Sequence, residues 1–510
     1  MRYLRKYWLL ISLFLLAFCA RFLPGPRIVD DAYITFRYAR NIFAGYGFVY
    51  NLGQRVLGTT TPLYTIALSS LAIFCGGEFA DFPTLAWVLN SLLDGFTCVL
   101  LLLIGKKLKL HWAGLGAALA WSIAPWSVTF AIAGLETSLY VFLLVAAWVS
   151  YLYQRYPATA LAASLALLTR PDALALVLPL VLDRILLDPK RRGQKIRMIE
   201  WLAFTLPLLV WFSFAFYYFG RLLPHSIAAK AIAYNLDPYT ALIRFLQHYA
   251  TPFMEHTTLG NGVIKIGVIL YPASFLLGAL RLYKNGKQNW PFLLFPLGYT
   301  AAFAWANPLV FRWYLTPPLP FYFIGLLAGL EFLLNDLAAS FRKKRISSAI
   351  TALAVAALPF FSLLNNWQWQ PDHGVKRPAP EMAWYKLELL YIDVAKELTP
   401  EIRNRHAMLA AGDVGALGYF TDAYILDTVG LMSPESLDYY PLPAGYYKQF
   451  IYAIPPELIY DLQPDYLVTL EIYVRSGLMQ QPRFQQLYQL KEKIPTDIYG
   501  SDGLLVFEKR

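Results

Sequence analysis

The sequence predicts an all-α polytopic membrane domain of about eleven transmembrane helices, N-terminus inside, with a small C-terminal extracytoplasmic α/β domain. Three observations carry that expectation. Apolar runs close to the roughly 20 residues needed to cross a bilayer recur as far as Leu364. Only 15% of the 510 residues are charged, against about 25% in a soluble domain, and the mean hydropathy is +0.44. After Leu364 the chain turns polar and Pro-rich, with segments of both helical and strand periodicity.

The first run, Tyr7 to Leu23, follows the basic flank Arg2, Arg5 and Lys6. No small-x-small cleavage site succeeds it, so it reads as a retained helix. Further basic groups occupy short gaps between apolar runs: Lys106/Lys107/Lys109, Arg155, Lys190/Arg191/Arg192/Lys195/Arg197, Arg281/Lys284/Lys287 and Arg342/Lys343/Lys344/Arg345. Lysine and arginine in short loops mark the cytoplasmic side. Keeping residues 106–109 inside requires that 61–75 not cross. That run is short and opens with Thr61-Pro62, so it reads as an interfacial helix after a first outer loop at 25–61. The spans then fall at 7–24, 84–105, 112–131, 137–153, 157–169, 173–187, 199–219, 263–282, 290–306, 317–337 and 346–364.

This organisation divides the chain into a transmembrane domain, 1–364, and an outer domain, 365–510. In the latter, Glu381–Leu398 has helical periodicity with Lys396 and Glu397 on its polar face. Strands are expected over His406–Ala411, Tyr424–Asp427 and Tyr466–Leu470. The expected location is a cell membrane, plasma or inner, crossed many times. The net charge of +11 follows the positive-inside pattern and lacks interleaved aromatic residues, so no nucleic acid is expected as a partner. Cys19, Cys75 and Cys98 all lie in apolar segments, leaving no disulfide framework or cysteine zinc site in the outer domain.

With that topology several polar residues gather on the outer side. They are Asp30 and Asp31, Glu136 in Gly134-Leu135-Glu136-Thr137, and Arg170 in Leu168-Thr169-Arg170-Pro171-Asp172. His225 and Lys230 follow Leu222-Leu223-Pro224, and Arg312 and Tyr314 lie in Phe311-Arg312-Trp313-Tyr314-Leu315. Charges at span ends outside the positive-inside pattern point to a site. Each also has a plainer role: Asp30 or Glu136 as a helix cap, Arg37 as partner to Asp30 on one helix face, Arg170 snorkelling, His225 packing.

These stretches resemble the membrane glycosyltransferases of the C superfamily, which use polyprenyl-phosphate sugars. Within it the likeness is to bacterial and mycobacterial arabinofuranosyltransferase-like proteins. It rests on Asp30-Asp31-Ala32-Tyr33-Ile34-Thr35-Phe36-Arg37-Tyr38-Ala39-Arg40-Asn41, running on to Tyr50-Asn51-Leu52-Gly53-Gln54 and Thr61-Pro62. It also rests on the stretches around Glu136, Arg170, His225 and Arg312, and on Gly412-Asp413-Val414-Gly415-Ala416-Leu417-Gly418-Tyr419 with Asp427-Thr428-Val429-Gly430-Leu431. Two departures, Leu57-Gly58-Thr59-Thr60 in place of an aromatic and His225 in place of an asparagine, keep the sugar from being carried over.

The resemblance implies transfer of a sugar, with inversion, from a polyprenyl phosphate to an acceptor hydroxyl of an envelope glycan, glycolipid or protein. It makes Asp30 the base, with Asp31 and Glu136 orienting acceptor, base or a metal. Arg170, Lys230 and Arg312 would hold the donor phosphate, and Arg37, His225 and Tyr314 would contact substrate. A divalent ion, if present, would be magnesium or manganese on the oxygens of Asp31 and Glu136. The alternatives are a transporter or flippase for lipid-linked sugars, or an inactive binding or assembly protein of the same fold.

Overall fold

The computed structural model describes residues 2–253, 261–340, 349–355, 357, 367–370, 376–380 and 382–510. They form two compact units, each drawn from three stretches of chain.

The first unit comprises Met1–Arg27, Ala86–Trp211 and Tyr239–Glu381 and is almost wholly helical. Among the described residues of the whole chain four helices are long and apolar enough to cross a membrane: Phe82–Leu108, Met198–Phe219, Lys265–Asn285 and Leu319–Leu337. A bent pair makes a fifth. The protein is therefore a multi-pass membrane protein. Other predicted spans are shorter apolar helices, Tyr7–Phe22, Thr137–Leu152 and Tyr156–Thr169. The span expected at 346–364 and the basic group 342–345 lie mostly outside the described residues, of which 349–355 and 357 are helical.

Proline explains where helices depart from the expected spans. The single span expected at 112–131 is two helices, His111–Ile123 and Pro125–Ile132, meeting at 45°. Ala124 precedes Pro125 and takes ψ 136, because the proline ring excludes the helical region from its predecessor. The freed carbonyl of Ile123 accepts the Trp367 indole N–H at 3.0 Å. Elsewhere helices meet through small residues. A methyl group on Gly278 would fall 1.9 Å from the Gly325 carbonyl oxygen, and one on Gly329 the same distance from that of Ser274. Helices Asn261–Asn285 and Leu319–Ser340 thus cross backbone to backbone, the close approach small residues permit in lipid. Trp148 stacks between Phe292 and Phe321 at 5.3 Å from each.

The second unit comprises Ile28–Leu85, Phe212–Pro238 and Met382–Arg510. Its centre is a five-stranded sheet of β3 (Met408–Ala411), β4 (Tyr424–Asp427), β5 (Tyr466–Leu470), β6 (Tyr488–Ile494) and β7 (Leu504–Lys509). The antiparallel hairpin β1 (Trp367–Gln370) and β2 (Arg377–Pro380) precedes them in the first unit. The spatial order is β4-β3-β5-β7-β6, with β3 parallel to β4 and β5, and β7 antiparallel to its neighbours. The expected strands are present; β6 and β7 were not foreseen. Helix Ala383–Arg405 exposes Lys396 and Glu397 as expected, and runs a further seven residues past Leu398 to Arg405.

The first outer loop belongs to this second unit. Helix Asp30–Phe43 lies against the short helix Gly415–Thr421 that follows β3. The expected interfacial helix is Pro62–Ala72, with proline at its first position where no N–H is needed. A further helix, His225–Ala233, starts where the His225 N–H donates to the Leu57 carbonyl at 2.8 Å.

Candidate active site

The acid pair opens a helix without capping it. Val29 occupies the cap position with no side-chain bond, and Asp30 turns its carboxylate towards the α/β domain. One oxygen accepts the Gly415 N–H at 2.7 Å and the other accepts the Ala416 N–H at 2.8 Å. This contact requires glycine: a Cβ on Gly415 would lie 1.8 Å from the Asp30 carbonyl oxygen. The Asp30 N–H donates to Glu388 at 2.9 Å.

Around Asp30 stand the further acids Asp31, Glu388 and Asp413. Asp413 accepts the Tyr391 hydroxyl at 2.7 Å and that of Tyr473. Glu388, 3% exposed, leaves its second oxygen without a hydrogen-bond partner among the described residues. Asp31 is half-buried, and among the described residues its carboxylate has no hydrogen-bond or ion-pair partner. Burial first, then the charge of Asp413, push the Asp30 carboxyl well above its ordinary range, against the pull of the two amides. Burial followed by Asp30 raises Glu388, and burial with the charge of Asp31 raises Asp413 despite the Tyr391 bond. Tyr234, Tyr452 and Tyr473 bring further hydroxyls, with Tyr452 5.8 Å from Tyr234 and 5.0 Å from Tyr473, ring to ring.

The rest of the first-loop pattern docks one part of this unit on another. Arg37 donates to the Ala423 carbonyl at 2.7 Å and lies 4.3 Å over the Tyr50 ring, rather than pairing with Asp30. Arg40 pairs with Asp422, and Asn51 exchanges two hydrogen bonds with Ile425 on β4 at 2.9 and 3.0 Å. Asp427 is a structural acid, its carboxylate accepting the N–H groups of Val429, Gly430 and Met432. His225 and Lys230 lie on the same short helix, His225 buried with Nδ1 3.0 Å from Arg221 and, among the described residues, no hydrogen-bond partner for Nε2. Burial, then Arg221, lower its pKa.

The first unit assembles a separate constellation. Helix Tyr156–Thr169 ends at Arg170, which Pro171 forces into extended backbone at φ −154, ψ 133. The arginine does not snorkel. It is 4% exposed, donates to Glu136 at 3.0 Å and to Asp172 at 2.8 Å, and lies 4.4 Å over the Tyr314 ring. The Tyr299 hydroxyl donates to the same Asp172 carboxylate at 2.6 Å. Glu136 makes no side-chain cap bond to the helix it precedes. Burial raises its carboxyl against the opposing charge of Arg170.

Tyr314 shares the one-turn helix Arg312–Leu315 with Arg312, whose guanidinium lies 6.0 Å over Trp126. Trp126 meets His248 edge to face at 4.4 Å. Burial and Arg312 pull the His248 pKa down to about 3, so the ring is neutral. Arg244 donates to the Val310 carbonyl and feels the like charge of Arg312.

Of the expected site residues, the first unit thus brings together Glu136, Arg170, Arg312 and Tyr314. The second holds Asp30, Asp31, Arg37, His225 and Lys230. Sequence reasoning missed Glu388, Asp413 and the tyrosines around them, and Asp172, Arg244 and His248 in the first unit. Gly412-Asp413 lay in a quoted motif, whereas Glu388 carried no signal beyond a polar position on a helix. Among the described residues no three His, Cys, Asp or Glu side chains gather as a metal site, and Asp31 and Glu136 belong to different units.

Residues 383–507 match the model of a domain of unknown function, DUF8728. No curated protein matches. Among solved structures, ArnT from Cupriavidus metallidurans bound to undecaprenyl phosphate aligns over 99% of this chain and 98% of its own. The TM-score is 0.57 at 11% identity. The Archaeoglobus fulgidus oligosaccharyltransferase, solved with zinc and sulfate, aligns over 97% of this chain and 72% of its own, with a TM-score of 0.55 and 13% identity. A mycobacterial arabinofuranosyltransferase, AftD, aligns over 98% of this chain and 40% of its own at a TM-score of 0.45, too low to support an argument. The chain shares the fold of ArnT and of the oligosaccharyltransferase.

Proposed function

We propose that the protein is a membrane glycosyltransferase that moves a sugar from a polyprenyl-phosphate donor to an acceptor hydroxyl of a cell-envelope glycan, glycolipid or protein. The observation that carries the reading is Asp30, a buried carboxylate fixed by two backbone amides beside the acids Asp31, Asp413 and Glu388. An acid raised by burial and like charge is a stronger base once ionised, and its fixed orientation supplies the positioning that proton abstraction needs. The acceptor O–H bond breaks as its oxygen attacks the anomeric carbon. The proton passes to Asp30, and the polyprenyl phosphate leaves from the opposite face with inversion. Asp31, half-exposed and unengaged, orients acceptor or donor beside it.

The phosphate leaves as an anion and needs positive charge more than a proton. Arg170, Lys230 and Arg312 fill that role in this reading, and Arg244 joins them. Glu136 and Asp172 hold Arg170 in place. Aromatic faces at Tyr314 and Trp126 flank the cations. The undecaprenyl phosphate in the ArnT structure supports the donor class, and the acceptor peptide tethered to the oligosaccharyltransferase supports an acceptor on the same fold. The reading places the site and the α/β domain outside the plasma or inner membrane, with about eleven spans. A reporter fused after Arg510 is expected to signal from the outer side, and a cytoplasmic signal would overturn that topology.

The test is transfer from radiolabelled polyprenyl-phosphate pentoses and hexoses by the purified chain in detergent, with envelope glycolipid as acceptor. Transfer without a membrane also separates an enzyme from a flippase, which needs two leaflets to act. A protein that binds these donors and transfers from none of them is a binding or assembly protein instead.

A further inference from the structure

An apolar crevice opens in the first unit among helices Thr137–Leu152, Tyr156–Thr169, the stretch 174–187 and the start of Met198–Phe219. Ala160, Ala163, Trp201, Phe204, Tyr151 and Tyr156 are among the residues that line it. The gap follows from loose packing. Only 11% of the apolar window of Met198–Phe219 is buried, against 67% for Leu319–Leu337. Small alanines facing this helix leave space that protein does not fill.

The rim is polar and carries excess positive charge. Arg184 donates to both oxygens of Glu200 at 2.9 and 3.1 Å, contacts Asp188 at 3.3 Å, and donates to the carbonyls of Gln194 and Lys195 at 3.1 and 3.2 Å. Arg197 also pairs with Glu200, at 3.5 Å. These contacts neutralise the local acids, yet residues 183–200 hold six basic side chains against three acidic ones. Lys190 and Lys195 are exposed and, among the described residues, have no partner. An apolar slot lined in part by Arg184, whose guanidinium bonds the Lys195 carbonyl, with a basic stretch beside it in sequence, complements a lipid with an apolar chain and an anionic headgroup.

We propose that this crevice binds one anionic phospholipid of the bilayer, one acyl chain lying between Ala160/Ala163 and Trp201/Phe204 and its phosphate against Lys190 and Lys195. The lipid would fasten the start of Met198–Phe219 to the rest of the first unit. The proposal is independent of the sugar-transfer reading. Native mass spectrometry of the full chain, after exchange into equimolar phosphatidylglycerol and phosphatidylcholine, tests it. The expected result is one retained phosphatidylglycerol at tenfold or greater excess over phosphatidylcholine. The charge-reversed double variant Lys190→Glu/Lys195→Glu is expected to lose that preference, and Ala163→Trp to lose the lipid while raising the melting temperature of the lipid-free protein. Should Ala163→Trp fail to fold, the charge-reversed variant decides alone. No retained lipid, equal retention of the two lipids, or an unchanged preference in the charge-reversed variant would overturn the proposal. Displacement of the lipid by glycerol phosphate would also overturn it, because it would mean that the headgroup alone is bound.

Discussion

Two buried acids, Asp94 in the first unit and Asp30 in the second, are held in opposite ways. Asp94 accepts Arg21 at 2.6 Å, the Trp121 indole at 3.1 Å and the Ser138 hydroxyl at 3.1 Å. Arg21, fully buried, gives its remaining bonds to the carbonyls of Ala17, Ser122 and Trp121. Charge and hydrogen bonding are both satisfied, as a framework pair requires in a low-dielectric interior. Asp30 has only neutral amide donors, and its neighbours Asp31, Glu388 and Asp413 are acids. Gathering acids without a cation works against stability. An arrangement that costs folding energy where a cation would relieve it suits proton transfer, whereas the Arg21–Asp94 pair suits architecture.

That contrast breaks if the wrong acid proves essential to folding. Asp94→Ala leaves Arg21 buried and uncompensated and is expected to cost about 3–5 kcal/mol, seen as loss of monodisperse protein on size exclusion. Replacing both partners, Arg21→Met with Asp94→Leu, should restore most of that loss. Asp30→Asn should leave a folded protein whose transfer rate falls by about 10²–10⁴-fold, the usual range for a general base. A melting curve alongside separates the lost base from the loosened contact with Gly415 and Ala416.

Smaller effects sharpen the assignment. Arg170→Ala should slow transfer about a hundredfold, on the order of 3 kcal/mol for one lost contact to a developing anion. Unchanged kinetics would leave Arg170 a purely structural partner of Glu136 and Asp172. Asp413→Asn removes a negative charge that raises Asp30, so the acidic limb of the rate profile should move to lower pH. Stability is expected to respond in the same sense. Asp30, Glu388 and Asp413 bind protons more tightly folded than unfolded, so their contribution is most favourable below about pH 4, the unfolded carboxylate value. It weakens as pH rises through the raised folded values. A melting temperature in the wild type that climbs steadily from pH 5 to pH 8, with no flattening in Asp413→Asn, would contradict this cluster.

The membrane character of the first unit was legible because apolar runs and basic gaps follow from bilayer physics alone. The bend at Ala124 was visible in principle as a proline, but hydropathy treats 112–131 as one run. The strands β3, β4 and β5 announced themselves as short buried apolar segments; β6, with Gln489, Lys491, Glu492 and Lys493, is too polar to do so. The first-loop pattern was singled out for chemistry, yet much of it serves assembly. Arg37, Arg40 and Asn51 hold parts of the second unit together, while Gly415 leaves room for Asp30 and Gly418 for Tyr50 and Arg37. Glu388 and Asp413 escaped notice because their meeting with Asp30 spans more than 350 residues of sequence, and no local periodicity records it.

The most direct measurement is sugar transfer by purified wild type and Asp30→Asn from one radiolabelled polyprenyl-phosphate donor panel in detergent. The account predicts a glycosylated product with inverted anomeric configuration from the wild type and a loss of at least a hundredfold in the folded variant. Equal turnover by the two proteins, or a retained configuration, would contradict it.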